Sequence, residues 1–240
     1  MKFPRRLPEV CALLLVAASL VMLRPLSSKP AMLSAPAGTS SAGFSLLRVN
    51  GEGPAAWDCS RPIGVALNAS TLSPSERELL RQDVESAFAE IAKVSSFRFV
   101  LRGDTDLVPN SSWGSKWYSL APQTPVVIAV VAEGASDLAF TDASASGGGF
   151  TKPDVSDRLR ITAGFVLLHL DEFNNYRPGS GFMSHQALLL HELLHVLNVG
   201  HSEHSSSVMT PSLADSYGTL GPSDVAALKD LSRTGCSLDK

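Results

Sequence analysis

The sequence has little of what marks nucleic-acid-binding, repeat or disulfide-scaffold proteins. Only 18% of its 240 residues are charged, and only three are cysteine. It has no basic stripe with interleaved aromatic residues, which argues against a nucleic-acid partner, and it has no internal repeats or heptads. Because 44% of the residues are hydrophobic, the chain can bury a sizeable core, and its length fits one domain with an N-terminal extension.

Long apolar runs are also scarce, and the one near the N-terminus is short for a membrane span. It covers Val10–Leu23, which is 14 residues, and basic residues within the first six positions precede it. This order is typical of an export signal, and the small residues at 35–37 offer a cleavage site. We therefore expect residues 1–37 to be an export signal and the protein to be secreted, with an uncleaved N-terminal membrane anchor as the alternative.

The mature chain is expected to be mildly acidic. Removal of residues 1–37 takes away five basic residues and one acidic residue, so the formal net charge changes from −3 to −7. Nothing in this charge favours an anionic membrane surface. We expect neither a nucleic-acid nor a membrane partner after signal removal, and we expect a monomer.

The cysteines of the mature chain form an even pair. Cys11 lies in the expected signal, which leaves Cys59 near the start of the mature chain and Cys236 near its end. Outside the cell, such a pair usually forms a disulfide. The bridge would tie the two ends of the domain together and contribute roughly 4 to 5 kcal/mol on a loop-entropy estimate. Free thiols are the alternative.

The segment that follows the signal differs in composition from the rest of the chain. Residues 38–56 are rich in Gly, Ser, Ala and Pro, and they predict a linker with one short strand at Phe44–Val49 before a turn at Asn50-Gly51. Residues 57–240 are expected to form the domain.

A long helix is predicted soon after the domain begins. Ser73 supplies a cap, Pro74 fits the first turn, and Glu76 stands three residues after the cap. We expect the helix to continue to about Lys93. Its apolar residues recur at helical spacing on one face, namely at Leu80, Val84, Phe88 and Ile91.

The remaining elements indicate an α/β or α+β domain with one mixed sheet. Apolar runs and alternating patterns predict strands at Pro62–Leu67, Phe97–Leu101, Pro125–Val131 and Arg160–Leu170, and helices at His185–Leu197 and Ser223–Leu231. The segment Ser144–Phe150 contains three consecutive glycines. It is either a flexible surface loop or an edge strand near the substrate.

The segment with the clearest chemistry is His191-Glu-Leu-Leu-His195. On a helix, residues four apart share a face, so His191 and His195 can both bind one metal ion. Glu192 lies beside that face. Its carboxylate can therefore take a proton from a water that the metal activates, without being a ligand itself.

A catalytic zinc needs a third protein ligand and keeps its fourth position open for water. His201 is the candidate, which requires the helix to end and the chain to reverse just after His195. We expect Asn198 and Gly200 to allow this reversal, because both residue types tolerate a left-handed backbone.

With these residues the sequence resembles the metzincins, zinc peptidases with the pattern HExxHxxGxxH and a methionine-containing turn. Met209, eight residues after His201, matches that turn, and Ser202 resembles the matrixin branch. The residues Trp57-Asp58-Cys59, Pro62-Ile63 and Gly235-Cys236 resemble the two ends of small secreted bacterial matrixin-like proteases. The resemblance covers roughly residues 57–236, although only residues 191–211 are specific.

The resemblance implies a fold and an activity. The fold would be one zincin-type α+β (α/β-like) domain with a mixed, mostly parallel twisted sheet, two long helices and a C-terminal helix. The activity would be zinc-dependent endopeptidase cleavage of an extended peptide or protein substrate, with Glu192 as the general base and one zinc ion. Residues 144–150 would lie near the edge strand that pairs with substrate. Structural calcium is left open.

The sequence departs from the family pattern in three respects. Asn198 replaces the glycine after the second histidine, and asparagine is the next most tolerant residue for that conformation. The residues after Met209 do not match the usual matrixin sequence, so the wall of the specificity pocket cannot be carried over. No inhibitory segment with a cysteine switch is recognisable. Latency through a Cys59 thiolate bound to zinc is an alternative to the disulfide, which is favoured.

Several alternatives remain open from the sequence. A thermolysin-like arrangement needs a glutamate ligand well downstream, and no glutamate follows Glu203. An aspartate third ligand, Asp215 or Asp224, leaves the spacing of His201 unexplained. His204 is the histidine that can close the site as a fourth ligand, which would give a catalytically inactive, zinc-stabilised secreted binding or structural domain. A metal-free interaction module is the third hypothesis. His169 and His185 have no partner at ligand spacing and are interpreted as structural.

Overall fold

The fold is given by a computed structural model that describes residues 43–51, 53–113, 125–138, 144–171, 185–211 and 218–236. The expected export signal and its cleavage site lie outside the described residues. All described residues belong to one compact unit of the chain. Within these ranges, no helix is both long and apolar enough to cross a membrane.

A five-stranded sheet forms the centre of the domain, with the strand order β4-β3-β5-β7-β6. Its strands are β3 (Ile63–Asn68), β4 (Phe99–Asp104), β5 (Val126–Val131), β6 (Ala145–Pro153) and β7 (Leu159–His169). All pairs are parallel except the one between β6 and β7. All residues of β3 and β5 are buried, which agrees with their continuous apolar sequences. The prediction of an α+β domain with a mostly parallel sheet is confirmed.

Helix α1 (Pro74–Val94) begins and ends where the sequence predicts. The Ser73 hydroxyl accepts a hydrogen bond from the Glu76 amide at 3.4 Å, and the Ser73 amide donates to the Glu76 carboxylate at 3.0 Å. This capping box satisfies two amides that have no partner within the helix. The buried face contains the four predicted residues together with Ala87.

The glycine-rich segment is an edge strand, so its interpretation as a flexible surface loop is wrong. Strand β6 begins at Ala145 and pairs antiparallel with β7, with Gly147 opposite Val166 and Gly149 opposite Gly164. The pattern was ambiguous because glycine has no side chain from which burial or alternation can be recognised.

Helix α2 (His185–Val196) is buried on all sides except at Gln186. It packs against α1 and against strands β6 and β7, which explains why its sequence is apolar around the whole circumference. Helix α3 (Pro222–Cys236) closes the described part of the chain and contacts α1.

The N-terminal residues, expected to be a linker with a short strand, form a small hairpin from β1 (Val49–Asn50) and β2 (Gly53–Pro54). Directly after it, Trp57 is buried, and its indole nitrogen donates to the carbonyl of Val196 at 2.9 Å. That carbonyl belongs to the last turn of α2, where helix carbonyls lack partners within the helix.

Cys59 and Cys236 are joined in a disulfide, with their Cα atoms 5.1 Å apart. The bridge links the residues just after Trp57 to the last residue of α3. Cys59 is therefore a bridge partner in this structure and not a free thiolate.

Replacing Cys59 and Cys236 by serine should lower the free energy of unfolding by roughly 4 to 5 kcal/mol, because the bridge restricts the unfolded chain. Urea unfolding of the parent and of the double variant measures this difference. The same unfolding midpoint in both proteins would contradict the expectation, as would a parent whose midpoint is unchanged by a reductant.

Candidate metal centre

Three imidazoles meet at one end of helix α2. The rings of His191 and His195 lie one helical turn apart, with centroids separated by 4.7 Å. The ring of His201 approaches from the segment after the helix, with its centroid 4.8 Å from that of His195 and 5.2 Å from that of His191. The candidate ligand atoms all lie within 4.8 Å of one another. The predicted ligands are thus brought together.

Backbone carbonyls orient the two helical imidazoles. His191 Nδ1 lies 2.7 Å from the carbonyl oxygen of Val208, and His195 Nδ1 lies 2.8 Å from that of Val199. Because a carbonyl oxygen only accepts, each Nδ1 carries the proton and each Nε2 is left with a lone pair. This is the arrangement that histidine ligands of metals normally have.

The surroundings of the imidazoles keep them neutral. Burial lowers the pKa of His191 to about 4. Burial, together with the charges that His191 and His201 would carry if protonated, lowers the pKa of His195 well below its usual value. The His201 ring is the most exposed of the three, and partial burial lowers its pKa as well. Neutral imidazole is the form that binds a metal ion.

Glu192 lies on the same helix and is 5% exposed. Burial raises the pKa of its carboxyl to about 8, because the charged form loses its water. A cation held by the neighbouring imidazoles would oppose this effect and favour the carboxylate.

One pair of candidate ligand atoms has the separation expected at a tetrahedral zinc ion. With Zn–N bonds of 2.0–2.1 Å, two ligand nitrogens lie about 3.3 Å apart. The Nε2 atoms of His195 and His201 are separated by 3.2 Å. Among the described residues, no fourth His, Cys, Asp or Glu joins the group, and neither His204 nor Glu192 is part of it.

Asp224, considered from the sequence as a third ligand, has a different position. Its carboxylate accepts hydrogen bonds from the amides of Val208 and Gly221, each at 2.8 Å, and from the hydroxyl of Ser207. It therefore supports the backbone whose carbonyl orients His191. The sequence offered only an aspartate in the first turn of a helix, so this supporting role was not predicted. Asp215, the other candidate, lies outside the described residues.

Met209 lies in a turn beside the histidines and is completely buried. The amide of Ser202, which follows His201, donates to the Met209 carbonyl at 2.8 Å. The preceding residue, Val208, holds His191. The turn is therefore hydrogen-bonded to His191 and to Ser202, the residue after His201.

The chain reverses after α2 at Asn198, as expected. Asn198 has a φ of +85°, and its amide and that of Val199 donate to the carbonyls of His195 and Leu194, which is a Schellman helix ending. Gly200 does not have a positive φ, so the expectation that it supplies left-handed backbone is wrong. It is small for a different reason: a methyl group there would lie 2.5 Å from the Ser45 hydroxyl.

The other two histidines singled out in the sequence lie outside the group. His185 Nδ1 is 3.4 Å from the Asp83 carboxylate and joins α2 to α1. His169 is the last residue of β7. Neither belongs to the metal-binding group found among the described residues.

Strand β6 passes very close to α2 at Gly147. A methyl group on Gly147 would lie 2.5 Å from the backbone oxygen of Glu192 and 2.8 Å from its Oε2. The strand lies so close to the helix that position 147 requires a glycine. The backbone of β6 at this position packs against the Glu192 carboxyl.

No family model matches the chain, and no curated protein is significantly similar to it. The chemistry must therefore be inferred from the residues and their geometry.

Replacing Gly147 by alanine should displace Glu192 and destabilise the protein by about 1–3 kcal/mol, as overpacking does in a well-packed core. Gly148→Ala is the matched control, because a methyl group there meets only the Phe165 ring, at 3.3 Å, and a side chain can shift. Thermal unfolding of both variants tests the difference. Equal melting temperatures would show that the contact with Glu192 does not restrict position 147.

Proposed function

We propose that the protein is a secreted zinc-dependent endopeptidase of the metzincin type, resembling the matrixin-like group. The observation that carries this proposal is the meeting of three neutral imidazoles, from His191, His195 and His201, beside the buried carboxyl of Glu192. Three nitrogen ligands with an open fourth position are typical of catalytic zinc, whereas structural zinc sites are closed by a fourth protein ligand.

The three histidines would bind the zinc ion, and Glu192 would transfer protons. A bound zinc ion would lower the pKa of a water to about 7 and polarise a peptide carbonyl. Glu192, which is held against β6, would take a proton from water and later give it to the leaving amine nitrogen. Burial raises the pKa of its carboxyl, whereas a bound cation would lower it, and a pKa near the working pH would let the carboxyl do both.

The expected substrate is an extended peptide or protein segment. Strand β6 is at the edge of the sheet, and it lies next to the helix that bears Glu192. An exposed strand edge can pair with an extended chain through main-chain hydrogen bonds. We propose that the substrate binds along β6, in reach of the carboxyl.

A catalytically inactive, zinc-stabilised binding domain is the competing hypothesis. Two observations speak against it: the fourth ligand that it needs is not supplied by any described residue, and Glu192 is buried at the site without being a ligand. Burying an ionisable group costs free energy, and in a purely structural zinc site a carboxyl that is not a ligand would offset none of that cost. The disulfide supports secretion, because disulfides form and persist in oxidising compartments.

Replacing Glu192 by glutamine should leave zinc bound and reduce peptide cleavage by about 10²–10⁴-fold, the usual contribution of a general base. Hydrolysis of an unfolded protein is measured beside the zinc content of the parent and the variant. Glu203→Gln is the matched control, because Glu203 is exposed on the segment after His201. It should cleave like the parent.

The outcomes separate the hypotheses. Unchanged cleavage by the Glu192→Gln variant would contradict the role of Glu192. Zinc in the parent without cleavage would favour the binding domain, and a parent that binds no zinc would refute the proposed centre.

A further inference from the structure

Asn198 does more than tolerate the left-handed backbone. Its side chain is buried, with the residue 2% exposed, and makes three hydrogen bonds. Oδ1 accepts from the Arg48 amide at 2.7 Å, and Nδ2 donates to the carbonyls of Arg48 and Ala55, each at 2.9 Å. All three bonds reach the described residues within 43–56, which we call the strap.

The strap also bonds to the segment that carries the third imidazole. The Leu47 amide donates to the Asn198 carbonyl at 3.0 Å, and the Gly200 amide donates to the Ser45 carbonyl at 2.8 Å. The Ser45 hydroxyl donates to the carbonyl of His201 itself at 2.6 Å. The strap therefore contacts the chain before His201 and at His201.

A further hydrogen bond joins the strap to the residue just after His201. The Ser202 hydroxyl donates to the Gly43 carbonyl at 3.2 Å. The strap thus follows residues 198–202 along their whole length. His191 and His195 lie on the buried helix α2 instead, and only the Val199 carbonyl that holds His195 Nδ1 belongs to the segment that the strap follows.

We propose that Asn198 is a positioning residue through which the strap holds His201 in place for metal binding. A residue chosen only for its backbone conformation would need no carboxamide, since glycine and aspartate also adopt positive φ. The inference rests on the proposed metal centre, but not on catalysis or on any substrate.

The physical reason is preorganisation. A ligand on a loose segment loses conformational freedom when the metal binds, and that entropy cost weakens the affinity. The strap removes this freedom before the metal arrives, because it provides partners for the amide of Gly200 and the carbonyls of Asn198 and His201.

Two variants isolate the carboxamide without straining the backbone. Asn198→Gly removes all three side-chain bonds, and Asn198→Asp keeps the acceptor while placing negative oxygen against two carbonyls. In each, we expect the zinc dissociation constant to rise about tenfold or more, as for other supporting residues of metal sites. It is measured by competition with a chelator in the full-length protein.

Hydrogen exchange of the metal-free proteins gives a second measurement. The amides of Leu47 and Gly200 should exchange faster in both variants than in the parent. Ser45→Ala removes only the hydroxyl bond to His201, and a smaller rise in the dissociation constant is expected, which keeps the test decisive if the Asn198 variants fold poorly.

Asn68→Ala is the control for general destabilisation. Asn68 is also 2% exposed, and its side chain donates to the Leu107 carbonyl at 2.9 Å, far along the chain from the histidines. It should lower the melting temperature and leave the zinc dissociation constant unchanged.

The outcomes distinguish this inference from the proposed function. Parent-like zinc binding in both Asn198 variants would overturn the positioning role, even if their amides exchange faster. If the parent binds no zinc, the proposed function fails and the role of Asn198 in metal binding fails with it. Faster exchange in Asn198→Gly would then still support the strap as the structure that holds residues 198–202, and unchanged exchange would overturn that as well.

Discussion

One helix can offer only two of three imidazoles to a metal ion, and the rest of the site depends on how the third one is brought in. His191 and His195 lie one turn apart on α2, so the third ligand must come from beyond the helix end. The chain ends the helix in a Schellman motif at Asn198 and returns His201 to within 3.2 Å of His195. The strap and the turn that contains Met209 are both bonded to this returning segment.

Burial keeps the imidazoles neutral, and hydrogen bonds to backbone carbonyls fix their orientation. It lowers the pKa of His191 to about 4 and keeps the ring neutral, so that its Nε2 can bind a cation. The ring is fixed by the carbonyl of Val208, and the backbone of that residue is fixed by the buried carboxylate of Asp224. Such a chain of satisfied buried polar groups is costly to break, because each removal leaves another group without a partner.

Features that depend on local periodicity could be predicted from the sequence, and those that depend on distant contacts could not. The bounds of α1, the buried strand β5 and the grouping of the three histidines follow from spacing within short segments. The strap resembles a linker in composition because it bonds mostly through its backbone, and its bonds to the Asn198 side chain join residues 143 or 150 positions apart. Gly147 of β6 has the same character: its reason is the nearness of Glu192, which no local pattern contains.

The most direct test of the account is X-ray absorption at the zinc edge on the purified protein, with metal content determined on the same sample. We predict one zinc ion per chain with three nitrogen ligands at about 2.0–2.1 Å and one oxygen ligand. The His201→Ala variant should lose one of these nitrogens or the metal itself, and His204→Ala should match the parent. A protein without zinc, or a spectrum with a fourth nitrogen that disappears in His204→Ala, would contradict it.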